Sequence, residues 1–127
     1  MTIVDHRDVP PEHWRSGVET RMPASASNGA VQLCIFEQWI EPGIGAPTHA
    51  HPVEEVLTVL EGEAEKWLDA RRMVVLAGQS LTVPAGQKHG LRNAGAATLH
   101  IRAVLASPVF EATFEGSTET VRRWLPR

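Results

Sequence analysis

From residue 31 to residue 114 the chain runs in short stretches rich in Val, Leu, Ile, Thr and Trp, many alternating apolar with polar and each ended by Gly, Pro or Asn. The pattern predicts strands over 31–40, 56–60, 64–68, 73–76, 80–83, 89–92, 98–105 and 109–114. Gly62, Asp69-Ala70, Ala77-Gly78, Ala85-Gly86 and Asn93-Ala94-Gly95 supply the reversals, with Gly or Asn where a left-handed residue is needed. Strand after strand at this spacing predicts an all-β sandwich or barrel. Helix is expected at two places only. Residues 10–16 have room for one turn, and over 117–125 Val121, Trp124 and Leu125 share a helical face behind a Ser117 cap.

Composition narrows this picture. A chain of 127 residues and 13.9 kDa is the size of one domain, and 43% hydrophobic with 21% charged residues is a globular balance. The expected organisation is an N-terminal extension over 1–30 contributing an edge or exchanged strand, a barrel over 31–115, and a short C-terminal helix over 116–127. The net charge is −3 and the ten Arg and two Lys are scattered, which argues against a nucleic-acid partner. Residues 1–11 contain no apolar stretch, and the longest uncharged run, 22–36, is too short and too polar to span a bilayer. A cytoplasmic protein without a membrane partner is expected. The single cysteine, Cys34, reads as a buried structural thiol.

Six His and no Tyr are the unusual counts. His49 and His51 are one residue apart, so an extended backbone turns both imidazoles to one side. Glu55 has the same parity, although Pro52 interrupts the strand, and His89 arrives from a separate turn at Pro84-Ala85-Gly86. Three imidazoles and a carboxylate form a borderline donor set that suits one divalent transition metal per chain, among Fe, Mn, Ni, Zn and Cu, without selecting between them.

These residues also fit a family pattern. Residues 43–62, GIGAPTHAHPVEEVLTVLEG, place Gly43, His49, His51, Glu55 and Gly62 at the spacing of the first cupin motif, and residues 78–93, GQSLTVPAGQKHGLRN, place Gly78, Pro84, Gly86, His89 and Asn93 at that of the second. Five fixed positions in each would coincide by chance at roughly one site in a million at average residue usage. The chain thus resembles a bacterial single-domain cupin. The resemblance implies a double-stranded β-helix, or jelly-roll barrel, that binds metal through His49, His51, Glu55 and His89. It also implies a homodimer paired through a sheet face, for which Val56, Thr58 and Leu60 offer an apolar outer side.

Around that site the alternation singles out further residues. Phe36, Gln38 and Leu91 are expected to line the pocket, with core packing the main role of Phe36. His100 and Arg102 share the face of 98–105 opposite Leu99, Ile101, Ala103 and Leu105. Facing inward they could orient a substrate catalytically. Facing outward they are a solvated edge, the reading favoured because charges are seldom buried unpaired. Glu54, His6 and His13 read as surface residues, and Trp39 and Trp67 as packing or subunit contacts.

A divalent ion and one carboxylate leave a charge of about +1, which favours carboxylate, enolate or phenolate oxygens. The expected function is therefore a metal-dependent enzyme acting on a small anionic organic molecule, of dioxygenase, isomerase or cyclase type. The alternative is a non-catalytic binding or sensor cupin. Cupin lyases that use a metal-side tyrosine, and thiol dioxygenases with a cysteine–tyrosine crosslink, both need a residue absent here. A general base would have to be His100, Glu55 or a metal-bound hydroxide.

Overall fold

In the computed structural model, which describes all 127 residues, the alternation at 99–105 is a strand whose Leu99, Ile101, Ala103 and Leu105 are 1% exposed or less. The same period of two shows in residues 55–61 and 63–68, and strands make up the rest of the sheets as well. In chain order they are β1 (Glu12–Arg15), β2 (Val18–Ala24), β3 (Cys34–Ile40), β4 (Gly45–Ala50), β5 (Glu55–Glu61) and β6 (Glu63–Leu68). There follow β7 (Arg71–Leu76), β8 (Ser80–Val83), β9 (His89–Asn93), β10 (Leu99–Leu105), β11 (Phe110–Phe114) and β12 (Thr120–Arg123).

They form two six-stranded antiparallel sheets, ordered β1-β2-β3-β10-β5-β8 and β12-β11-β4-β9-β6-β7. The inward side chains fill the space between the sheets in two apolar clusters. One is centred on Val18, Ile40, Leu57, Val59, Leu99 and Ile101. The other holds Cys34, Phe36, Ala103, Leu105, Phe110 and Ala112.

Both expected helices are strands. Residues 117–125 do not coil; β12 pairs with β11, with Val121 opposite Ala112 and Arg123 opposite Phe110. A helix there would have left the outer edge of β11 without hydrogen-bond partners, whereas extended backbone satisfies it and still turns Val121 inward. Likewise 10–16 contains β1, paired with β2 at the edge of the first sheet. The helical content is two single 3-10 turns, His6–Asp8 and Ala26–Asn28. No helix is long and apolar enough to cross a membrane.

Asn93 is the polar knot of one end of the molecule. It is 1% exposed; its amide donates to the carbonyls of Ile40 (2.9 Å) and Ala97 (2.8 Å), and its Oδ1 accepts from the Gly95 amide (2.9 Å). Its backbone also exchanges bonds with Ile44 and Gly43, so one side chain ties the β3–β4 and β9–β10 turns together. An Asn93→Leu substitution strands the buried Ile40 carbonyl and removes the bonds to Ala97 and Gly95, and chemical denaturation should show a loss of about 2–4 kcal/mol. A loss within about 0.5 kcal/mol would disprove that role.

Candidate metal centre

Local backbone chemistry aims the three imidazoles. Pro47 cannot donate to a ladder, and the β4–β9 register shifts between Ala46 and His49. This irregularity sets His49 directly opposite His89. His51 follows at the end of β4, and Glu55 opens β5 on the facing sheet. Outside the pair of histidine strands, Trp67 lies where any side chain at Gly90 would have to go, and its indole donates to Thr48 at 2.9 Å. That contact braces the strands carrying His49 and His89.

Each ring is then oriented by its own Nδ1. Those of His49, His51 and His89 sit 2.7, 2.8 and 3.0 Å from the carbonyl oxygens of Pro47, Glu111 and Gln87. A carbonyl only accepts, so each Nδ1 carries the proton and each Nε2 presents a lone pair. One nitrogen from each ring lies within 4.8 Å of the others, and all three residues are buried. Nε2 of His51 and of His89 is buried without any hydrogen-bond partner. These two atoms face Glu55 at 3.4 Å (Oε2) and 3.6 Å (Oε1). Lone pairs opposing lone pairs in a dry site repel, and a cation between them removes the conflict.

The protonation states agree with that geometry. Burial, with His89 nearby, pushes the His49 imidazole down to about 3, and burial beside Lys66 pushes His89 down to about 4. Burial alone would raise the Glu55 carboxyl, but His51 and the Lys66 ammonium hold it well below the ordinary carboxylate range. Neutral imidazoles and an ionised carboxylate are what a divalent ion requires of its ligands.

Lys66 was missed by the motif reading. It is 1% exposed on β6, lines the same cavity, and its Nζ lies 4.0 Å from Glu55 Oε1. The signal was present in the alternation of β6, where Ala64, Lys66 and Leu68 point inward. Burial lowers the Lys66 pKa and Glu55 opposes that shift; as an ammonium, Lys66 would offset Glu55 and leave the site of a divalent ion at about +2 rather than the expected +1.

Phe36, Gln38 and Leu91 line the cavity, with the Gln38 amide donating to Thr20 Oγ1 at 3.1 Å. His100 and Arg102 do not: they lie on the outer side of the first sheet. There His100 bonds Glu37 at 2.9 Å and stacks on Trp39 at 4.5 Å, while Arg102 approaches Glu37 at 3.8 Å. Glu54, His6 and His13 are exposed. Burial raises the Cys34 thiol to about 12, so it is no nucleophile. The remaining wall comes from the chain ends: Trp14 and Arg15 from β1, Val121 and Arg123 from β12, with Phe110 and Phe114 between.

A family model described as a cupin domain matches residues 36–105. Protein SchB of Streptomyces halstedii is 33% identical over 94 residues, covering 73% of this chain and 68% of that protein. The polyketide cyclase RemF of Streptomyces resistomycificus superposes with a TM-score of 0.78 at 24% identity, over 94% of this chain and 88% of that one. A Bacillus subtilis oxalate decarboxylase with Mn(II) centers superposes with a TM-score of 0.78 at 19% identity over 87% of this chain, which spans 31% of that larger protein.

The depressed histidines make the metal-free protein acid-sensitive. Folded, His49 and His89 stay neutral down to about 3 and 4; unfolded, they return to 6.5 and take up protons. The unfolded state therefore binds more protons below 6.5, and their contribution is complete above that pH and lost as pH falls toward 4. Urea unfolding of chelated protein should show a decline on the order of 1–2 kcal/mol per pH unit across this window, largely removed by joint His49→Gln and His89→Gln substitution. An unaltered slope in the double variant would contradict the assignment.

Proposed function

The chain belongs to the cupin family, and on that premise we propose that it is a metal-dependent enzyme which rearranges or cyclises a small anionic, enolisable molecule. The observation that carries this reading is the set of three Nδ1-anchored imidazoles, two with orphaned Nε2 atoms facing Glu55. His49, His51, His89 and Glu55 would hold one divalent ion. When bound, such an ion polarises a carbonyl or enolate oxygen as a Lewis acid.

The chain's own residues supply the rest. Lys66 adds a second positive centre beside the ligand set, suited to a substrate oxyanion. Apart from the ligands and two arginines it is the one group on the pocket wall able to exchange a proton, a role that His100 cannot take from the outer face. Trp14, Phe36, Phe110 and Phe114 offer flat apolar walls that exclude water and hold a planar reactant. A ring-closing reaction draws further support from the likeness to the polyketide cyclase RemF, which spans 94% of the chain. Iron at the site would favour dioxygen chemistry instead. Pairing through the Val56, Thr58 and Leu60 face belongs to the same reading, with a twofold mass in light scattering as its check.

Plasma mass spectrometry of untagged protein should find about one ion per chain, falling below about a tenth in His51→Ala and His89→Ala. An open-chain poly-β-ketone offered to the metal-loaded protein should gain phenolic absorbance, with that gain lost in both variants. Lys66→Met should keep the metal and slow the reaction by about 10²-fold. Equal turnover in the metal-free variants would overturn the proposal. Recovery of an unchanged ligand from the protein would identify a binding cupin.

A further inference from the structure

Two arginines on the wall of the same cavity have no carboxylate within ion-pair distance. Arg15 closes β1 and Arg123 closes β12, so the edge strands of the two sheets bring one guanidinium each to the pocket. Neither takes part in an ion pair. Arg15 makes one side-chain bond, to the Gly45 carbonyl at 3.2 Å, and Arg123 makes none, its Nε being buried and unsatisfied. The nearby carboxylate of Glu12 is occupied by the indoles of Trp14 (3.2 Å) and Trp124 (2.9 Å).

What holds the arginines is aromatic. Arg123 lies 4.0 Å from the centroid of Trp14, and Arg15 lies 5.9 Å from that of Phe114. Stacking uses the face of a guanidinium and leaves its in-plane N–H donors free. The two cations also work against each other: burial lowers the pKa of Arg15, and Arg123 lowers it further. Glu12 acts on Arg123 only from beyond ion-pair distance, so two like charges in a half-buried wall share one remote carboxylate and form a site for an external anion. From each arginine the aromatic wall leads to the histidines. Phe114 lies 5.3 Å from His49, while Trp14 lies 5.0 Å from Phe110, itself 5.3 Å from His51.

We propose that Arg15 and Arg123 clamp a carboxylate at the far end of a planar substrate whose reacting oxygen lies at the histidine cluster. This rests on the reading of the cavity as a substrate pocket and narrows the substrate class to aromatic or ring-forming molecules with an oxygen at one end and a carboxylate at the other. The arginines would set register, making them specificity-determining residues rather than catalytic ones.

Two probe pairs test it on the metal-loaded protein by calorimetry: 4-hydroxybenzoate against phenol, and 6-hydroxy-2-naphthoate against 2-naphthol. In at least one pair the carboxylate should bind about tenfold tighter, and the joint Arg15→Met and Arg123→Met variant, which keeps the stems on the aromatic rings, should bring that ratio within about twofold. In the unsubstituted protein, phenylglyoxal should modify both arginines, and the carboxylate probe should protect them where its phenol does not. Absence of a carboxylate preference in both pairs overturns the clamp, as does a preference that survives the double substitution, which would place the carboxylate at Lys66. Metal content, measured on the same samples, decides the metal reading separately: a chain without metal that still prefers carboxylates through Arg15 and Arg123 keeps the clamp and loses the enzyme proposal.

Discussion

Three imidazoles whose Nδ1 protons are given to backbone carbonyls can show the space between the sheets nothing but lone pairs, and Glu55 answers them with two more acceptor oxygens. Buried polar atoms of one kind cannot satisfy one another, and the distances of 3.4 and 3.6 Å leave a gap that a cation can bridge. Much of the structure can be understood as holding this unfavourable arrangement in place. Pro47 at the irregular step of β4, Trp67 over Gly90 with its bond to Thr48, and Lys66 behind Glu55 each fix one member of the set.

The packing of the two sheets serves the same end. The apolar clusters lie among the strands that flank the three histidines and Glu55, and their near-complete burial keeps the site dry. Dryness strengthens every charge in the pocket. It keeps His49 and His89 neutral far below their ordinary range and lowers the pKa of Lys66, a shift that the Glu55 carboxylate opposes. The electrostatics of the site therefore follow from hydrophobic burial as much as from the identities of its charged residues.

The chain ends complete the pocket. β1 and β12 occupy corresponding edges of the two sheets and close over the aromatic cluster of Trp14, Phe36, Phe110 and Trp124. Such terminal strands answer the unpaired edges of β2 and β11 while delivering Arg15 and Arg123 to the cavity. In this way one solution to an edge-strand problem also shapes the wall of the site.

The spacing of His49, His51, Glu55 and His89, with the motif glycines and Pro84, was enough by itself to identify the family and to suggest the metal set, because ligand spacing and tight turns are local properties of the backbone. The alternation of 99–105 likewise separated Leu99, Ile101, Ala103 and Leu105 from His100 and Arg102, since a strand's two faces are written at period two. Lys66 was legible in the same way but carries no motif. The ends of the chain were not legible: Val121, Trp124 and Leu125 suit a helical face as well as a strand, and only the free edge of β11 decided between them. Nor could sequence bring Arg15 and Arg123 together across 107 intervening residues. Their meeting depends on which strands neighbour one another in each sheet, a consequence of the packing of the whole chain rather than of any segment's own preference.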